Sequence, residues 1–198
     1  MKKTVCITLL LVANLATKAQ LLDSLALDTA RTYTNLAQAL QHPNNVYKLS
    51  LRRQKLSTLP QELQKFKNLN YLDVGKNKIV TLDSLLLNFP YLQVLNAEDN
   101  KLQSLPACIG GLKNLRKLII NRNEIYLLPL EIGLCTSLQT IDLWSNNIIE
   151  LPTTLNKIST LRAIDMRVIS MNERQQKKIQ EGFPTIKFYL SPTCNCGQ

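Results

Sequence analysis

Leu49, Leu72, Leu95, Leu118, Ile141 and Ile164 stand 23 residues apart in unbroken succession. The register extends well beyond that column. Two residues on come Leu51, Val74, Ala97, Ile120, Leu143 and Met166, and five on come Gln54, Asn77, Asn100, Asn123, Asn146 and Ile169. Ten on, Leu59, Leu82, Leu105, Leu128 and Leu151 are followed by Pro60, Asp83, Pro106, Pro129 and Pro152. Further apolar columns stand at offsets seven, fourteen, seventeen and twenty from the first, none broken by an insertion. A period of this length means that each repeat is one supersecondary unit stacked on its neighbours.

The chemistry of each column follows. Offsets zero and two share one face of a short strand, because side chains alternate along extended backbone. The spacing therefore predicts strands such as 72–75 and 118–121, stacked in parallel. An asparagine amide both donates and accepts, so a stacked asparagine column can satisfy backbone groups that a buried turn would otherwise leave unpaired. Proline fixes φ and lacks an N–H, which suits the start of the return leg. Apolar residues three apart on that leg fit short helical or 3-10 turns beneath the sheet. No repeat buries its apolar face alone, so stability comes from neighbours.

The pattern L-x-x-L-x-L-x-x-N-x-L-x-x-L-P, complete from Leu115 through Asn123 and Ile125 to Leu128-Pro129, resembles the leucine-rich repeat family. The resemblance covers about residues 46–166 and is similar to that of secreted bacterial members with 23-residue repeats. It implies an α/β solenoid with a curved parallel sheet on the concave face, helical or 3-10 turns on the convex side, and a cap at each end. Gln54 and Ile169 depart from the asparagine column and Asp83 from the proline column, while Ala97 underfills an apolar position.

Five segments follow. Residues 1–19 have a basic start, an apolar run from Thr4 to Ala16 and small residues at Thr17 and Ala19, the pattern of a secretory signal peptide cleaved between Ala19 and Gln20. The run is too short for a membrane span, which needs roughly 20 apolar residues. The expected location is therefore secreted or periplasmic, with no transmembrane segment in the mature chain. Residues 20–45 hold an N-terminal segment without register and a cap helix over 35–40, with Thr34 as its N-cap. Residues 46–169 are the repeats. Residues 170–190 hold a second cap: a helix over 171–181 opened by a Ser170/Glu173 capping box, then a strand carrying Ile186, Phe188 and Leu190. Residues 191–198 form a tail with Cys194 and Cys196.

Catalytic constellations are sparse, and no enzyme, cofactor or metal is expected. His42, the single histidine, sits beside Pro43 as a turn residue. Gly110-Gly111 and Gly133 match no phosphate loop. Asp73, Asp142 and Asp165 share the offset-one column, a position where the family commonly carries aspartate. Cys135 falls in an apolar column and Cys108 beside exposed-type positions. A disulfide involving Cys108, Cys194 or Cys196 and a tail without chemical role both stay open.

Two surfaces are candidates for binding. On the strand face, Trp144, the single tryptophan, is expected to point to solvent among Ile119, Asn121, Asp142 and Arg167. Exposed tryptophan and arginine are typical anchors of protein interfaces. The second surface is a basic edge of Arg53, Lys55, Lys76, Lys78 and Lys101, with Glu98 and Asp99 expected to relieve its repulsion. Removing Lys2, Lys3 and Lys18 with the leader lowers the formal net charge from +10 to +7, so anionic partners deserve weight. A protein partner is the leading expectation, with an anionic glycan or envelope surface as the alternative. Nucleic acid is disfavoured, because no aromatic platform interleaves with the basic residues.

Overall fold

The computed structural model describes residues 21–148 and 150–193. The leader expected over residues 1–19, with Cys6, lies outside the described residues, as do Cys194 and Cys196. The described residues form one open parallel sheet in chain order: β1 (Thr32–Tyr33), β2 (Lys48–Ser50), β3 (Tyr71–Asp73), β4 (Val94–Asn96), β5 (Lys117–Ile119), β6 (Thr140–Asp142), β7 (Ala163–Met166) and β8 (Lys187–Leu190). From β2 to β7 the register pairs residues 23 apart, so Leu49 faces Leu72 and Leu118 faces Ile141. These side chains, with Leu51, Val74 and Ile120, fill a core that runs the length of the solenoid.

The strands are shorter than the spacing predicts, because the chain bends soon after offset one. Residues at offset four adopt left-handed backbone throughout: Arg53, Lys76, Asp99, Arg122, Ser145 and Val168 have φ between 52° and 61°. This bend keeps the ladder intact. The N–H of Arg53 still donates to the Gly75 carbonyl and that of Arg122 to the Trp144 carbonyl. In the last coil the N–H of Val168 donates to Ser191 Oγ at 2.7 Å, a side chain standing in for the next coil.

Just past the bend the asparagine column joins each coil to the one before. Asn123 Nδ2 donates to the carbonyls of Ala97 and Ile120 at 3.0 Å each, and its Oδ1 accepts from Leu102 N at 2.9 Å. Asn77, Asn100 and Asn146 repeat the pattern. At the first coil, Gln54 reaches outward instead, donating to the Thr34 carbonyl of the N-terminal cap. Asp83, which replaces a proline, opens its 3-10 turn by accepting from Leu85 N at 2.8 Å. Gly110 and Gly133 let successive 3-10 turns pack closely. A Cβ on Gly110 would lie 2.5 Å from the Glu131 carbonyl oxygen, and one on Gly133 2.7 Å from that of Thr154.

The caps depart from expectation in detail. The segment before Thr34 is ordered, with α1 (Ser24–Thr29) capped by Asp23 and β1 paired to β2. Asn35, not Thr34, caps α2 (Leu36–Ala39), because its side chain accepts from Gln38 N. At the other end the capping box is Asn172 with Gln175, not Ser170 with Glu173, and it opens α3 (Glu173–Gly182). Asparagine outcompetes the serine two residues earlier because its oxygen reaches the N3 amide while Gln175 reaches back. Among the described residues no helix is long and apolar enough to cross a membrane.

Three substitutions test the ladder and the bend. Asn123→Ala should cost about 3 kcal/mol in urea denaturation, since several buried backbone groups lose their partner. Gln54→Ala, at the exposed first coil, should cost under about 1 kcal/mol; equal costs would contradict the ladder. Val168 is exposed and β-branched at positive φ, so Val168→Asn should raise stability by about 1 kcal/mol.

Candidate functional site

The sheet register sets Ile119 beside Asp142 and Asp142 beside Asp165. The two aspartates, like Asp73 and Asn96, serve the backbone first. Each accepts from the N–H two residues on: Asp73 from Gly75 at 2.8 Å, Asn96 from Glu98 at 2.9 Å, Asp142 from Trp144 at 3.2 Å and Asp165 from Arg167 at 3.1 Å. This column holds the chain as it leaves the strand, so its shared carboxylates have a structural cause.

Around Trp144 the five residues singled out in the sequence come together, though not all as exposed groups. Asn121 is buried and donates to Asp142 Oδ2 at 2.6 Å. Ile119, Asp142 and Trp144 are half-buried, while Arg167 is exposed. Trp144 does not stand free in solvent as expected, because the Arg122 guanidinium lies 4.8 Å from its ring centroid. A cation over an indole face is attracted by the ring quadrupole. Arg122 was legible as a member of the offset-four column, but only the bend there shows that it turns toward the indole.

Arg167 donates from Nε and Nη2 to both oxygens of Asp165. Burial alone would push the Asp165 carboxyl up; the Arg167 hydrogen bonds and charge outweigh it and hold the pKa below its usual value. Tyr189 follows Asp165 in the same row and is 43% exposed. Its spacing of 24 from Asp165 breaks the 23-residue period, which hid it from the repeat pattern. Lys117, Thr140, Asp142, Ala163, Asp165 and Tyr189 line a depression of about 250 Å³.

The N-terminal half of the face is internally satisfied. Arg52 pairs with Glu98 two coils away and with Asp73 at 3.5 Å. Gly75 makes this reach possible, because a Cβ there would lie 2.6 Å from Arg52 Nη1. Hydrogen bonding to Glu98 raises the already high Arg52 pKa. Glu98 is thus committed to Arg52 and does not relieve the basic edge. Along that edge Arg53, Lys55, Lys78 and Lys101 are exposed and Lys76 half-buried. Among the described residues none of the five forms an ion pair. Left-handed backbone at Arg53, Lys55 and Lys76 marks the bend that carries this edge.

The remaining candidates are structural in their surroundings. His42 is exposed and precedes the 3-10 turn Pro43–Asn45. Cys135 is buried, its thiol donates to the Ile109 carbonyl, and burial pushes its pKa up to about 11. Cys108 is half-buried rather than fully exposed, with its thiol 3.5 Å from the Asp83 carbonyl, and burial raises its pKa as well.

No family model and no curated protein sequence matches the chain. Solved structures do. A leucine-rich-repeat protein of Leptospira interrogans superposes with a TM-score of 0.63 at 28% identity over 83% of this chain. An internalin of Listeria monocytogenes superposes with a TM-score of 0.63 at 22% identity over 76% of it. The chain spans 49% of the first protein and 44% of the second. Together with the open parallel sheet and its 3-10 return legs, these neighbours define the class: the chain is a leucine-rich-repeat solenoid.

Asp165 gives a pH test with a definite sign. Its lowered native pKa means that it stabilises the fold above the ordinary aspartate value of about 3.9, and that this contribution is lost as pH falls through the lower native value. Arg167→Ala removes the side-chain hydrogen bonds and the charge and leaves only the backbone N–H of residue 167 against burial, so a carboxyl-carbon NMR titration should show the Asp165 pKa rising. An unchanged or lower value would contradict the assigned pairing.

Proposed function

We propose that this solenoid is an exported, non-catalytic scaffold that holds a protein partner against the C-terminal half of its concave strand face. The observation that carries the reading is Trp144, half-buried under Arg122 and bordered by exposed Arg167 and Tyr189 on one continuous row of strands. An aromatic anchor already held in place loses little conformational freedom on binding, and such residues dominate interface energetics. Leucine-rich-repeat scaffolds are typically protein-binding, and the Arg52–Asp73–Glu98 network leaves the opposite half of the face with its charges already paired. Export rests on the basic, apolar and small-residue succession of residues 1–19.

The basic edge supports a second reading, capture of an anionic glycan or envelope surface, because Lys55, Lys78 and Lys101 are exposed and Glu98 is engaged elsewhere. The two readings separate cleanly. With the full chain as bait, Trp144→Ala should weaken the captured protein partner by about 2 kcal/mol, roughly thirtyfold, in a titration. Lys55→Ala/Lys78→Ala/Lys101→Ala should leave it within about threefold, since charges outside an interface contribute little. The reverse pattern would favour the anionic surface and remove the strand face from consideration.

A further inference from the structure

The rim where the chain enters each strand is occupied in the first half of the solenoid and open in the second. Two residues before the core leucine, Asn70 and Gln93 are 0% and 1% exposed. They are covered by the chain's own N-terminal segment. Leu22 N donates to Asn70 Oδ1 at 3.0 Å, and Gln93 Nε2 donates to the Leu22 carbonyl at 2.6 Å. Further along the same segment the Asp28 carbonyl accepts from Lys48 Nζ at 3.4 Å. That segment, Leu21 to Asp28, carries two aspartates and no basic residue.

The equivalent positions of the later coils are Arg116, Gln139 and Arg162. Gln139 and Arg162 are exposed and Arg116 half-exposed, so nothing among the described residues covers them as the N-terminal segment covers Asn70 and Gln93. One residue on, in the strands themselves, stand Lys117 and Lys187, both exposed. Strands about 4.8 Å apart place Arg116 and Arg162 about 10 Å from each other and Lys117 about 14 Å from Lys187. No carboxylate among the described residues pairs with any of these four cations. Of the two aspartates on the inner side, Asp165 is taken by Arg167 and Asp142 is held by Asn121.

We propose that this open rim is a docking track for an extended acidic segment of a partner protein, laid along Arg116, Lys117, Arg162 and Lys187 as a continuation of the track the N-terminal segment fills. Charge complementarity selects the occupant. Four cations without a carboxylate partner, Lys187 over the Tyr189 ring at 4.8 Å among them, follow a line that a peptide in extended form spans in about five residues, and carboxylates on such a peptide meet guanidinium groups with matched geometry. Exposed backbone of the peptide is served by polar side chains, as Leu22 is by Asn70 and Gln93; Gln139 holds the corresponding place. The track is distinct from the Trp144 row and does not rest on it.

The test uses the full chain and a fluorescein-labelled dodecapeptide of alternating glutamate and serine, read by fluorescence anisotropy. Arg116→Glu/Arg162→Glu should weaken binding at least tenfold. Lys55→Glu/Lys78→Glu, the same change in net charge on the other edge, should change it less than threefold. A second rim variant, Arg162→Glu/Lys187→Glu, guards against a folding defect at the half-exposed Arg116, and thermal unfolding confirms that each variant is native. Absence of binding by the unmodified protein, or equal loss in rim and edge variants, overturns the proposal. So does binding of a sulfated oligosaccharide, in place of the peptide, through the same arginines. Trp144→Ala should leave peptide affinity unchanged, so failure of the track and failure of the strand-face reading are told apart.

Discussion

The side-chain amide of one asparagine per coil is the interaction on which the rest of the molecule depends. Each coil must turn sharply off the sheet while still inside the stack, where water cannot reach its carbonyl and amide groups. A buried backbone group left without a partner costs roughly 1–3 kcal/mol, and the turn presents several at once. Asn77, Asn100, Asn123 and Asn146 resolve this by donating both to their own coil and to the preceding one while accepting from its next amide. Cohesion between coils is therefore polar at the turn and apolar in the core, and the polar part fixes the 23-residue register. A slip of one residue would break every bridge in the column.

That turn also determines what faces outward. The left-handed residue just before each asparagine lets the chain leave the strand, and a side chain from offset one steadies the departing backbone. Where that side chain is aspartate it serves the backbone amide, and Asp73 and Asp165 also pair with Arg52 and Arg167. The arrangement of the exposed surface thus grows from structural necessities. Arg122 lies over Trp144 because it occupies the bend, and Arg53 and Lys76 lie on the basic edge because they occupy the same bend in earlier coils.

The solenoid itself was legible in the sequence to the level of individual columns, since Leu118, Asn123 and Leu128-Pro129 each perform the role their spacing implies. Even the departures carried meaning: Gln54 faces a cap instead of a coil, and Asp83 caps a turn that prolines open elsewhere. What stayed hidden were interactions between columns. Nothing in the period reveals that Arg52 crosses Gly75 to reach Glu98, or that Asn70 and Gln93 are buried beneath Leu22. The caps were misplaced by one or two residues because serine, threonine and asparagine compete for the same amides, and only geometry decides among Thr34, Asn35, Ser170 and Asn172. Tyr189 was missed for a related reason. Inserting α3 lengthens the last repeat by one residue and carries the tyrosine out of register.

The surface evidence concentrates toward the C-terminal half, where the strand row around Trp144 and the open basic rim lie side by side. The earlier coils have their charges paired across the face and their rim occupied by the chain's own N-terminal segment. Site-specific photo-crosslinking with the captured partner tests this asymmetry most directly. A benzophenone amino acid placed at Tyr189, exposed on the strand face, should form a crosslink to the partner, while one at Leu134, exposed on the convex side, should not. Crosslinks from Leu134 with none from Tyr189 would place the binding surface on the opposite side of the solenoid and contradict the account.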